Sequence, residues 1–250
     1  MIIQKNLHCR NNDISSILPF ELPESLMTTH TPVKGIAHHV PLALVDAIHR
    51  LGDVADTILS VSSGILDANF REYLIRTIKK YTALVPNVYI AFITDISLVV
   101  DNQASNLLKR YAGLAVLRGD NTYIYVNLNL DTARREVDIL EVLAHELCHA
   151  VTARQLNHHC SANTALHCAL RSISNALKNY ALSLGKTLDL YTQARVKHAL
   201  LNTKELMAIG TTSPVVMPLL KKINVSTARG IETAYDALQK YKIELIASAF

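Results

Sequence analysis

Apolar residues recur at three- and four-residue intervals through most of the chain, with one clear switch to strict alternation. Beginning at Pro41, the positions Leu44, Val45, Ile48, Leu51, Ala55 and Ile58 mark one face of a predicted helix. A second helix is expected over 66–84, where Phe70, Tyr73, Leu74, Thr77, Ile78 and Tyr81 share a face and Pro86 follows. Residues 87–94 are β-branched and aromatic and predict a strand; a short helix is expected over 102–111. Residues 113–118 and 122–130 flank Gly119-Asp120-Asn121 and predict a hairpin. Its second strand alternates, with Ile124, Val126, Leu128 and Leu130 on one side and Tyr123, Tyr125, Asn127 and Asn129 on the other.

The helical period returns at Asp131, a good N-cap, and runs to about 156. Further helices are expected over 162–184, 187–201, 203–209, 214–223 and 229–248. Residues 1–40, broken by Pro19, Pro23, Pro32 and Gly35, are expected to form an irregular arm ahead of a single domain over 41–250. Helices, a few strands, then helices predict an α+β fold that is helix-rich, with a small, mostly antiparallel sheet.

Half of the residues are hydrophobic and 18% are charged, enough apolar material for a sizeable core. No apolar run is long enough to span a membrane, and the N-terminus lacks the apolar region of a signal peptide. Cys9, Cys148, Cys160 and Cys168 show no paired spacing. Free thiols in a reducing, cytoplasmic compartment are therefore expected. The net charge of +4 is spread along the chain, so charge alone leaves a nucleic-acid partner open.

Inside the 131–156 helix stands His145-Glu146-Leu147-Cys148-His149, an HExxH motif. Four residues apart on a helix, the two imidazoles can converge on one zinc ion, which binds neutral imidazole nitrogen well. Glu146 projects about 100° around the helix, where it can act as general base and acid toward an attacking water. By chance, roughly one chain of this length in a hundred contains the motif. The surroundings argue further against accident, because Val142–Val151 holds no charge besides Glu146. Burying that trio without a partner is costly, and a metal is such a partner.

Strand and motif helix together resemble the zincin metallopeptidases. The resemblance implies a protein or peptide substrate lying along the strand before the helix, and the lack of a long apolar run leaves no membrane partner expected. Tyr123, Tyr125 and Asn127 are then expected to face that substrate. The third metal ligand has several candidates. The metzincin pattern requires a glycine at position 152 and a histidine at 155, where this chain has Thr152 and Gln155. Glu205, in Lys204-Glu-Leu-Met-Ala-Ile-Gly210 followed by Ser213-Pro214, fits a gluzincin arrangement. That segment is similar to the metallopeptidase domains of phage polyvalent proteins, implying a phage-encoded protein made in or delivered to a host cell. His158 or His159 would instead be similar to the SprT-like metalloproteases, which act on DNA-bound proteins, although that family's His-Gly-x-x-aromatic segment is absent. Asp189 is a third candidate, with helix capping as its competing role.

His167 and Cys168 are expected at the edge of the core. Glu141 and Asp138 are candidates to orient the imidazoles, and Tyr191, Tyr235, His198 and Arg195 to stabilise an oxyanion. The contrasting expectation is a phage or mobile-element binding protein in which the zinc is only structural.

Overall fold

The computed structural model describes residues 40, 42–60, 66–85, 87–99, 102–109, 111–128, 138–159, 165–227 and 230–248. The irregular arm expected over 1–40 lies, apart from Val40, outside them, as does Asp131. In chain order the elements are β1 (Ile48–Arg50), α1 (Leu51–Ser60), α2 (Ala68–Leu84), β2 (Val88–Ile93), α3 (Asn102–Leu108), β3 (Gly113–Arg118) and β4 (Asn121–Asn127). They continue as α4 (Ile139–His159), α5 (Ala165–Leu184), α6 (Leu190–Ala199), α7 (Thr203–Thr212), α8 (Val216–Leu220), β5 (Asn224–Thr227), β6 (Gly230–Thr233) and α9 (Ala234–Ala247). The fold is α+β. No described helix is long and apolar enough to cross a membrane.

The main sheet has the order β1-β2-β4-β3. Its outer pairings are antiparallel and the central β2–β4 pairing is parallel. Helix α4 lies against β3 and β4 on one face, and also packs against α2, α7 and α9. Ile90, Phe92, Ile124 and Val126 pack into the main core with Leu140, Leu143 and Leu147 of α4. On the opposite face α3 closes a smaller core built from Ala91, Ile93, Val99, Ala104, Leu108 and Tyr125. The sheet is thus covered on both sides, and the alternation of β4 separates two cores.

The helix expected from Pro41 is shorter and interrupted. A 3₁₀ turn over Leu42–Leu44 gives way to β1, and α1 begins only at Leu51. Asp46 takes a left-handed φ of 54°. Its N–H donates to Phe92 O at 2.7 Å, and its carboxylate accepts from the Thr94 N–H at 2.7 Å. Pairing with β2 therefore replaces helical bonding. Leu44, Leu51 and Ile58 are buried all the same, so the spacing marked the core positions but not the element.

A second departure is the β5–β6 hairpin between α8 and α9, where helices were expected on either side of a short break. Val225, Thr227, Ile231 and Thr233 are β-branched, and Gly230 holds a φ of 111° that side chains disfavour. Thr233 then caps α9 by accepting the Asp236 N–H.

Candidate metal centre

Four elements build the centre. Helix α4 opens with Asp138, whose carboxylate accepts the Leu140 N–H at 2.7 Å, and its buried leucines fix it against the sheet. One turn apart on this helix, the His145 and His149 Nε2 atoms lie 3.0 Å from each other. The short α6–α7 connection ends at Asn202, whose Oδ1 accepts the N–H groups of Lys204 and Glu205, both at 2.9 Å. This cap starts α7 so that Glu205 sits in its first turn, where a carboxylate is favoured by the helix dipole. Leu206 to Thr212 are buried, which seats α7 against α4 and aims Glu205 at the two imidazoles.

Glu205 Oε2 is 3.3 Å from His145 Nε2, and Oε1 is 3.3 Å from His149 Nε2. One ligand atom from each of the three residues lies within 4.8 Å of the others. A tetrahedral zinc with bonds of about 2.0–2.1 Å separates neighbouring ligand atoms by roughly 3.3–3.4 Å. The imidazole nitrogens are 3.0 Å apart and each stands 3.3 Å from a different Glu205 oxygen, close to the separations such an ion sets. Two buried atoms, His145 Nδ1 and Glu205 Oε2, lack a well-directed hydrogen bond among the described residues. Leaving such groups unsatisfied in a closed interior costs about 1–3 kcal/mol each. A bound cation would relieve that cost at Glu205.

The electrostatics divide the two carboxylates. Burial pushes Glu146 up to about 7, while His149 and the N–H of Ala115 pull the other way. Burial also acts to raise Glu205, but His149, His145 and His198 outweigh it and hold it well below the ordinary range. His145 is driven down to about 3, chiefly by burial. It is therefore neutral, as a metal ligand must be. Burial lowers His149 too, and the Glu205 carboxylate reverses that into a net rise.

Glu146 occupies a slot made by β3. A Cβ on Gly113 would stand 2.7 Å from Glu146 Oε1, 2.9 Å from its Cγ and 2.6 Å from Val142 Cγ1. Glu141, one turn before His145, is buried and joined to Arg195 of α6, with the Tyr191 hydroxyl 3.4 Å away. Burial raises the Glu141 pKa against the pull of Arg195.

Other expected site residues fall elsewhere. β4 is an interior strand, hydrogen-bonded on both edges, so it cannot present its backbone to a substrate; its neighbour β3 is an edge strand among the described residues. Tyr125 and Asn127 are buried on the α3 side, and the Asn127 amide donates to Leu108 O at 2.7 Å. Tyr123 stacks on Tyr89 at 5.3 Å on that same face. None of the three faces the metal centre, because their side of β4 looks away from α4. Asp189 caps α6 by accepting the Thr192 N–H. Helix α4 extends through His159, which carries the backbone of His158 and His159 roughly 14 and 15 Å along the axis beyond His149. His167 is half-buried as expected, while Cys168 is exposed.

Residues 92–178 match the SprT-like family. This is a zincin-like, metallopeptidase-type family. No curated protein and no solved structure matches the chain. The SprT-like segment runs from the end of β2 into α5. It takes in His145, Glu146 and His149 and stops short of His198 and Glu205. The similarity to phage polyvalent proteins is not among these findings.

Proposed function

We propose that this chain is a zinc-dependent peptidase of gluzincin type, in which His145, His149 and Glu205 hold the metal. The observation that carries the reading is the convergence of these three ligands from α4 and α7, with Glu146 alongside. When bound, zinc would polarise the scissile carbonyl and acidify the attacking water. Glu146, held near neutrality by burial, takes the proton from that water and passes it to the leaving amine. Gly113 and Ala115 fix the carboxylate at the start of the edge strand β3. An extended peptide would lie along this edge, completing its backbone hydrogen bonds there.

The experiment is metal analysis combined with cleavage of unfolded casein. One zinc per chain is expected in the wild type and in Glu146→Gln, with activity of that variant down about 10²–10⁴-fold. Glu205→Ala should lose the metal. Full activity in Glu146→Gln would sink the mechanism. Unfolding of the whole chain on chelation would point to a structural zinc instead.

The SprT-like match favours a second reading of the substrate, a protein held on DNA. Cleavage of a DNA-binding protein that DNA does not accelerate would count against it.

A further inference from the structure

Of the four groups considered for oxyanion stabilisation, three are committed elsewhere. Arg195 and Tyr191 are engaged with Glu141. The Tyr235 hydroxyl accepts from Gln239 at 2.9 Å, and Lys221 stands 4.9 Å over its ring. His198, in the last turn of α6, is different. Its Nε2 is 3.1 Å from Glu205 Oε2, and its ring is 5.9 Å from that of His145. The contact helps keep Glu205 ionised, but the carboxylate oxygen accepts no well-directed hydrogen bond, which leaves the Nε2–H free to turn to a second acceptor beside it. Nor does His198 belong to the set of ligand atoms that lie within one ion's reach.

Its position is that of a group at the mouth. The His198 side chain is 26% exposed, against 9% for His145, 14% for His149 and 19% for Glu205. On its other side is Tyr111, with ring centroids 6.0 Å apart, two residues before the edge strand β3 begins. His198 therefore spans the gap between the third ligand and the place where a peptide would enter.

We propose that His198 is a catalytic residue that donates its Nε2–H to the scissile carbonyl oxygen as negative charge develops there. The role rests on the peptidase reading above and requires the tautomer with its proton on Nε2. No bond is made or broken at His198; it supplies a directed donor that strengthens as the oxygen gains charge.

The test uses the full chain loaded with Co²⁺ and probed with acetohydroxamate, whose oxygens imitate that charge. Visible spectra give both the Co²⁺ affinity and the acetohydroxamate affinity for wild type, His198→Phe and His198→Gln. The expected result is Co²⁺ affinity unchanged within about threefold and acetohydroxamate binding about tenfold weaker in His198→Phe, partly restored in His198→Gln. On casein, kcat should fall about 10²–10³-fold in His198→Phe with KM little changed. Equal acetohydroxamate affinity in wild type and His198→Phe overturns the proposal. So does a parallel loss of Co²⁺ affinity, which would make His198 a support for Glu205. A wild type that takes up no Co²⁺ overturns the peptidase reading itself.

Discussion

The two sides of α4 bury polar groups in opposite ways. Toward α6 and α7 the surplus is of acceptors: Glu141, Glu146 and Glu205 stand around the imidazoles, and Arg195 answers only the first. Toward α2 and α9 the surplus is a cation. Lys242 is buried 5.8 Å from the Tyr81 ring and makes no ion pair among the described residues. Near it, Cys148 Sγ lies 3.9 Å from Thr211 Oγ1, Thr152 Oγ1 donates to Cys148 O, and the Tyr81 hydroxyl meets the Cys148 thiol without a well-directed hydrogen bond. Incomplete satisfaction therefore does not by itself mark a functional centre, since both sides show it. Only one side gathers ligand atoms at the spacing of a metal.

Three substitutions sharpen the contrast. The largest effect is expected from Arg195→Met, which strands Glu141 in the interior and should cost about 3–5 kcal/mol in urea denaturation. A loss below about 1 kcal/mol would show that Glu141 already finds another partner. Next is Gly113→Ala. The added methyl group displaces Glu146, and kcat should fall about 10²-fold while zinc content stays at the wild-type level. A wild-type rate in that variant would remove the strand from the account of Glu146.

Smallest is Lys242→Met, which should stabilise the protein by about 2–3 kcal/mol at pH 7 in the same denaturation. Burial lowers the lysine from 10.5 to about 8, so between those values the unfolded chain binds more protons than the folded one. That contribution raises stability as pH climbs through the window, and is a constant cost below it. The gap between wild type and Lys242→Met should therefore narrow from pH 8 to 10.5. A constant gap would mean that the lysine is not titrating as its burial requires.

How much was legible in the sequence follows from the range of each interaction. His145, Glu146 and His149 lie within five residues, and the cap at Asn202 that seats Glu205 is equally local. The leucines that bury α4 and α7 carry their own periodicity. By contrast, β1 depends on Asp46 meeting Thr94, and the interior position of β4 depends on β2 pairing with it in parallel. Neither partner can be read from the strand itself, which is why Tyr125 and Asn127 were expected at a substrate and belong to a core. His198 was one of four candidates until the structure committed Arg195, Tyr191 and Tyr235 to other partners.

Two ligands sit one turn apart on α4, while the third arrives from α7, two helices later. A chain that has formed α4 alone offers a cation only a pair of imidazoles. The three-residue cluster that could hold a metal is complete only when α7 is docked on α4. On the proposed reading, metal uptake would report completed tertiary assembly, and a bound ion would stabilise that assembly in return.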